Sequence, residues 1–210
     1  MRTSESHIAE LLLQIKAIKL NPSTPFTWAS GWKSPIYCDN RKTLSYPQVR
    51  TAIRDHFKDV IRKKYPEADG IAGVATGAVA HGMLVADVLD LPFIYIRSSA
   101  KGHGMQNLIE GEHQVGKKYV VIEDLVSTGG SSLKAVDALR EAGCEVLGMV
   151  AIFTYGFQLA VDKFTEKNCT LDTLSNYEAL IEQALASNYI QSADVEVLKE
   201  WRLSPDTWKQ

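Results

Sequence analysis

The sequence predicts an α/β fold in which a central parallel sheet is flanked by helices. Two observations support this prediction. Several short segments are almost wholly apolar, as buried strands are, and stretches with helical spacing of apolar residues separate them. Strands that alternate with helices pair in parallel, and helices then cover both faces of the sheet. The predicted strands are Gly70–Ala75, Pro92–Arg97, Tyr119–Ile122 and Glu145–Phe153.

The N-terminal part is predicted to contain two amphipathic helices. The first covers Ile8–Ile18 and stops at Asn21-Pro22. The second runs from about Pro47 to Lys64, with Pro47 in its first turn and Ser45 as a candidate N-cap. The stretch between them is rich in Ser, Gly, Pro and aromatic residues, so we expect a hairpin or loop there.

Further helices are predicted along the remaining chain, at about Met83–Leu89, Ser131–Ala142, Tyr177–Ala186 and Asp194–Trp201. Gly143 follows the second of these helices and is its predicted C-terminal stop. A long segment rich in polar residues and glycine, Ser98–Gly116, is predicted to be a loop that moves as a lid.

Composition limits the classes of function. The chain has 210 residues, of which 45% are hydrophobic and 23% charged, as expected for one globular α/β domain with additions at both ends. Its net charge of −2 argues against broad binding to nucleic acid or anionic membranes. Three widely spaced cysteines and the lack of a signal or spanning segment predict a cytoplasmic protein.

The segment Val120–Ser132 carries the clearest chemical signal. An apolar strand leads into two adjacent carboxylates, Glu123 and Asp124, and then into the small-residue turn Ser127–Ser131 that opens a helix. Backbone N–H groups and hydroxyls at such a turn bind phosphate. The carboxylates accept hydrogen bonds from sugar hydroxyls or hold a divalent ion through water. The combination indicates a sugar phosphate, and the alternative is a capped helix preceded by solvated acids.

This segment resembles the fingerprint of the type I phosphoribosyltransferases. The resemblance implies that family's fold, with a small hood formed by the terminal segments. Within a single domain of residues 1–210, about 1–45 would form part of the hood, about 46–175 the α/β core, and about 176–210 a helical extension. It also implies that the 5-phosphate of phosphoribosyl pyrophosphate (PRPP) binds the loop, while Glu123 and Asp124 meet the ribose hydroxyls.

Two further segments resemble the orotate phosphoribosyltransferases. Phe26–Tyr37 matches an FTxxSGxxSPxY hairpin, and Arg97–Gly104 matches a mobile catalytic loop with an R…KxHG pattern. The resemblance implies Mg²⁺-dependent transfer of phosphoribosyl from PRPP to orotate, in pyrimidine biosynthesis. It also implies a homodimer in which the loop acts in the partner's site. Arg97, Lys101 and His103 would then be catalytic, stabilising the departing pyrophosphate.

The resemblance further assigns the binding residues. Those for PRPP are Arg97, Lys101, His103, Glu123, Asp124, Leu125, Val126, Ser127, Thr128, Gly129, Gly130 and Ser131. Candidates for orotate are Ser127, Lys33 and Tyr37, although a solvated Lys33 and a packing role for Tyr37 are equally compatible with the sequence. No residue is predicted to bind Mg²⁺ directly; the ion would be held through PRPP and water near the acidic pair.

The chain departs from the family pattern at several positions. Ala29 stands where many relatives have a lysine, and this chain lacks the lysine that many have near Ser98 or Ser99 and that some have near Gly77. Tyr155 replaces an arginine that binds the substrate carboxylate in some relatives. His81 fits a packing role better than a catalytic one. Two other functions stay open at this point: a phosphoribosyltransferase for another base, and a PRPP-sensing regulator without catalysis.

Overall fold

The computed structural model describes residues 3–99 and 108–209. Within these ranges the chain forms a six-stranded sheet and two small two-stranded sheets. The strands are β1 Ile18–Leu20, β2 Phe26–Thr27, β3 Lys33–Ser34, β4 Ile36–Cys38, β5 Gly70–Val74, β6 Phe93–Ile96, β7 Ile109–Glu110, β8 Lys118–Val126, β9 Glu145–Thr154 and β10 Leu171–Asn176.

The helices surround this sheet, and a 3₁₀ helix, Asn40–Ser45, follows β4. They are α1 Ser4–Gln14, α2 Pro47–Lys64, α3 Val79–Leu89, α4 Gly130–Glu141, α5 Gln158–Glu166, α6 Tyr177–Ala186 and α7 Ser192–Leu203. The predicted bounds of α2 and α6 agree with the structure.

The large sheet has the order β10-β9-β8-β5-β6-β7, and its strands are parallel except for β7, which pairs antiparallel with β6. Successive residues of β8 enter opposite cores. Val120 and Ile122 pack with α1, α2 and α6, whereas Val121 packs with α4 and α5 on the other face. The predicted parallel sheet with helices on both faces is therefore confirmed.

Several predicted boundaries were wrong. The first helix ends at Gln14, because Lys16 adopts a positive φ of 54° and Ile18–Leu20 pairs as a strand with β4. Tyr46, rather than Ser45, precedes α2. The helix after β5 begins at Val79, earlier than predicted. Strand β8 continues to Val126, so Glu123 and Asp124 lie inside the strand instead of beyond it.

The predicted loop Ser98–Gly116 is not loop throughout. Its later part contains β7, and the carbonyl of the buried Leu108 accepts a hydrogen bond from the Arg97 N–H at 2.8 Å. Apolar Leu108 and Ile109 pack against the sheet and stabilise this pairing. The prediction of a mobile lid otherwise falls on residues 100–107, which lie outside the described ranges. Helix α5 and strand β10 were not predicted.

The two terminal parts of the chain meet above the carboxyl end of β9. Trp28 from the N-terminal hairpin and Trp201 from α7 both contact the ring of Tyr155, with centroids 5.2 and 5.5 Å away. Arg202 of α7 donates from Nε to the Tyr155 carbonyl at 3.1 Å. No helix in the described residues combines the length and apolar character needed to cross a membrane.

Candidate functional site

The candidate site lies where the carboxyl ends of β5, β8 and β9 meet. Parallel pairing brings these ends to one edge of the sheet, which is where open α/β sheets bind ligands. The loop 127–129 follows β8 and the loop 75–78 follows β5. Two segments distant in sequence, the N-terminal hairpin and the 3₁₀ helix Asn40–Ser45, also reach this edge.

The loop after β8 has the features of a phosphate site. Among the described residues, the N–H groups of Ser127, Thr128 and Gly129 donate to no protein acceptor. Gly129 has a φ of +77°, and a Cβ there would lie 3.1 Å from the Phe164 ring. Glycine is therefore required at this turn, which leads directly into α4 and leaves its N-terminal amides available to an anion.

Glu123 is a buried carboxyl group held in one orientation. One oxygen, Oε1, accepts the Asp124 N–H at 2.9 Å, and Oε2 accepts the Ser132 hydroxyl at 2.8 Å. Burial, followed by the nearby charge of Asp124, raises the pKa of Glu123 well above its ordinary value. In the unliganded chain this carboxyl therefore holds its proton more tightly than a solvated one.

Asp124 lies beside the loop that follows β5. A Cβ added to Gly77 would lie 2.5 Å from Asp124 Oδ1 and closer still to Oδ2, so this glycine makes room for the carboxylate. The Asp124 carbonyl accepts a hydrogen bond from Asn40 Nδ2 at 2.5 Å. Burial raises the pKa of Asp124, and its hydrogen bonds and the Arg41 charge oppose that rise.

A buried hydrogen-bond network anchors Asn40. The Thr43 hydroxyl donates to the Asn40 carbonyl at 2.5 Å and accepts from His81 Nε2 at 2.9 Å. This assignment requires the neutral tautomer with its proton on Nε2. Burial lowers the pKa of His81 to about 4, which keeps the ring neutral. His81 therefore has a structural role, and the predicted packing role fits this position.

A cavity of about 240 Å³ opens next to the loop 127–129, which we call the phosphate loop. Its lining residues come from the hairpin, β4, β8 and the end of β9: Thr27, Trp28, Ala29, Tyr37, Cys38, Leu125, Ser127 and Tyr155. Its walls are mainly flat aromatic and small side chains. Such walls suit a planar heterocycle. Burial raises the pKa of the Tyr155 hydroxyl and the Cys38 thiol, so both stay protonated and able to donate.

The structure brings together two of the residues predicted to bind orotate. Ser127 and Tyr37 both line this cavity. Lys33 does not line it, but its Nζ donates to the hydroxyl of Thr27, a lining residue, at 2.8 Å. Leu125 reaches the cavity too, whereas the Val126 side chain is buried in the core, so Val126 offers only its backbone to a ligand.

Other predicted residues lie elsewhere. Arg97 Nη1 pairs with Glu110 Oε1 at 3.4 Å, at the β6–β7 edge of the sheet. Lys101 and His103 lie outside the described residues. The sequence interpretation missed Trp28, Asn40 and Ser132. Trp28 and Ser132 lie within recognised segments, but their contacts, like that of Asn40 with Asp124, form only when the chain folds.

Comparisons with known proteins identify the family of this chain. Residues 42–188, more than half of the chain, match the phosphoribosyl transferase domain. The fold and the loop after β8 thus define a phosphoribosyltransferase. The chain is 58% identical over 209 residues to the orotate phosphoribosyltransferase of Phocaeicola vulgatus, covering 100% of this chain and 99% of that protein.

Further relatives show which family of phosphoribosyltransferases the chain belongs to. The orotate phosphoribosyltransferase of Porphyromonas gingivalis is 58% identical over 99% of both chains. The solved UMP synthase of Leishmania donovani has a TM-score of 0.81 and 27% identity over 96% of this chain, which spans 42% of that protein's length. The chain belongs to the orotate phosphoribosyltransferase family.

Proposed function

We propose that this chain transfers the phosphoribosyl group of PRPP to N1 of orotate, which yields orotidine 5′-monophosphate and pyrophosphate in pyrimidine biosynthesis. The observation that carries the proposal is the position of Ser127, which belongs both to the phosphate loop and to the cavity with aromatic walls. A sugar phosphate held by this loop therefore has its sugar next to a site for a planar base.

In this proposal, the residues at the end of β8 hold PRPP. The free N–H groups of the loop 127–129, with the residues up to Ser131, bind the 5-phosphate. Glu123 and Asp124 accept hydrogen bonds from the ribose hydroxyls. Because Asn40 and Ser132 hold the acidic pair in place, little ordering entropy is lost when the sugar binds.

Orotate would occupy the 240 Å³ cavity. Tyr37 and Trp28 offer flat surfaces to the ring, and Ser127 and the protonated Tyr155 hydroxyl supply polar groups at the lining. Lys33, linked to the lining through Thr27, is the candidate partner for the substrate carboxylate. This arrangement replaces the arginine that some relatives have at the position of Tyr155.

The donor set at the acidic pair fits a magnesium ion held mainly by the substrate. Each oxygen of Glu123 already accepts one hydrogen bond from the protein, which leaves one further lone pair on each for a ribose hydroxyl. No cluster of three or more metal-ligating side chains occurs in the described residues. Mg²⁺ binds readily through one carboxylate plus phosphate oxygens and water. Asp124 would hold it with PRPP, and the ion would neutralise charge on the leaving pyrophosphate.

The remaining charge on the leaving group would be met by Arg97, Lys101 and His103 of a second copy of the chain. Arg97 is paired with Glu110 at the sheet edge and does not line its own base cavity. Met83, which is exposed and lies close to Glu110, supports a partner surface near this edge. A homodimer with the hood formed by its terminal segments is part of the same proposal.

Purified protein with PRPP, Mg²⁺ and orotate tests the activity directly. We expect orotate absorbance to fall only when all three components are present, and hypoxanthine, adenine and uracil to be poor substrates. Preference for another base would favour the alternative transferase, and binding of PRPP without turnover would favour a regulator.

Two lysine variants test the base site. Lys33→Gln should raise KM for orotate about tenfold while KM for PRPP stays within twofold, because only one substrate carries the carboxylate. Lys63→Gln, at an exposed position on α2, is the matched control and should behave like the wild type. An unchanged KM for orotate in Lys33→Gln would remove Lys33 from the base site.

A further inference from the structure

A second cavity, of about 640 Å³, borders the acidic pair on the side of the loop after β5. Its lining includes Arg41, Thr76 and Gly77, apolar side chains of α3 and β6, and Glu110 of β7. Gly77 also adjoins the Asp124 carboxylate, so this cavity lies next to the proposed ribose site. Within the described ranges the N–H groups of Thr76 and Gly77 donate to no protein acceptor.

The backbone at Arg41 is fixed by its neighbour. Asn40 is 1% exposed, and its side-chain amide donates to the Asp124 carbonyl, which attaches the start of the 3₁₀ helix to β8. Arg41 is the next residue, so its Cα is held beside the acidic pair. Its side chain, by contrast, is 61% exposed.

The guanidinium of Arg41 has donor capacity left. Its Nε donates to Asp39 Oδ1 at 2.7 Å, and among residues 3–99 and 108–209 its two terminal nitrogens have no acceptor. Arginine presents five donors in a planar fork that matches phosphate oxygens. The Asp39 contact fixes one edge of this fork and leaves the other available.

Carboxylates border this cavity, so an anion would bind there only if a positively charged side chain also lined it. Glu110 lines the cavity, and the Asp124 carboxylate adjoins its lining residue Gly77. Arg97 is engaged by Glu110. Arg41 is thus the positively charged side chain that this cavity's described lining contains.

We propose that Arg41 binds the pyrophosphate group of PRPP, with its terminal nitrogens and the N–H groups of Thr76 and Gly77 donating to phosphate oxygens. The inference rests on the proposed function and extends it to a residue within the same subunit. The opposing hypothesis is that Arg41 only neutralises Asp39.

Calorimetric titration with pyrophosphate and Mg²⁺ tests this inference, because pyrophosphate occupies the leaving-group site alone. Ribose 5-phosphate is the second probe, since it needs the 5-phosphate loop and the acidic pair but has no pyrophosphate. Arg41→Gln should weaken pyrophosphate binding about tenfold or more and leave ribose 5-phosphate binding within twofold. Arg54→Gln is the matched control, because Arg54 pairs with Asp55 on α2 outside both cavities.

The outcomes separate the hypotheses. Pyrophosphate affinity within twofold of the wild type in Arg41→Gln overturns the inference, as does a wild type that binds no pyrophosphate. An equal loss for both probes also overturns it, because Arg41 would then act through the fold of the whole site. If Arg41→Gln unfolds, Arg41→Lys replaces it and should lose several-fold in pyrophosphate affinity alone.

The same preparation distinguishes this inference from the proposed function. Selective loss of pyrophosphate binding in a protein without orotate turnover supports the inference and refutes the activity. Turnover by the wild type together with unchanged pyrophosphate affinity in the variant refutes the inference alone.

Discussion

The substitution Gly77→Ala should impair the proposed reaction strongly while changing the stability of the fold little. The new Cβ would lie 2.5 Å from Asp124 Oδ1, whereas ordinary van der Waals contact begins at 3.4 Å. The φ of Gly77 is not positive, so alanine causes no backbone strain there. The carboxylate must therefore rotate or shift by about 1 Å, and a displacement of this size in a substrate-positioning group can cost about 100-fold in rate.

The expected effects differ between activity and stability. A 100-fold loss in kcat/KM for PRPP corresponds to about 2.7 kcal/mol of transition-state stabilisation. The clashing atoms are the end of one side chain, and alanine lowers the entropy of the unfolded chain, so the free energy of unfolding should change by less than about 1 kcal/mol.

The assay is a double-mutant cycle with Asp124→Ala, read by steady-state kinetics at varied PRPP and by urea unfolding. In the Asp124→Ala background, the additional Gly77→Ala change should cost less than about threefold, since the clashing carboxylate is gone. An equally large loss in both backgrounds, or wild-type kinetics in Gly77→Ala, would refute this reasoning.

Three further predictions concern buried polar groups. Burial raises the pKa of Glu123 to about 8 from 4.5, so the unfolded chain releases this proton at lower pH than the folded chain. The free energy of unfolding should therefore fall as the pH rises from 4.5 to 8. Urea unfolding of Glu123→Gln should show a weaker dependence of this free energy on pH, and an unchanged dependence contradicts the assignment. Burial lowers the pKa of His81 to about 4 from 6.5, so the free energy of unfolding should fall as the pH falls from 6.5 to 4. Urea unfolding of the wild type and of His81→Gln at several pH values should show a smaller loss in the variant. Asn40→Ala leaves the buried Asp124 carbonyl without its donor and should lower the free energy of unfolding by about 1–3 kcal/mol; a loss no larger than that of an exposed amide control, Gln48→Ala on α2, would argue against the network.

Local sequence patterns predicted much of the architecture. Helix α2 begins at Pro47, which suits a first turn, and its apolar residues recur at helical spacing, so both of its ends were predictable. The phosphate loop was predictable for a related reason, because a strand, two acids and a glycine-rich turn are contiguous in the chain.

The failures have a common cause. Ile18 continues the helical spacing of α1, yet it pairs with Cys38 in a strand, a partner 20 residues away whose position local spacing does not reveal. Leu108 and Ile109 stand in a polar stretch, and only the edge of β6 makes them part of the sheet. In both cases a tertiary contact outweighs the local pattern.

The sequence by itself determined the α/β class, the glycine-rich turn after β8 and the family resemblance, because each depends on neighbouring residues or on residues one helical turn apart. Only the tertiary structure decided how the site is completed. Asn40 meets Asp124 across 84 positions, and the base cavity joins the hairpin residue Trp28 to Tyr155 at the end of β9. These contacts depend on which strand ends share an edge of the sheet, and strand order results from the packing of the whole chain.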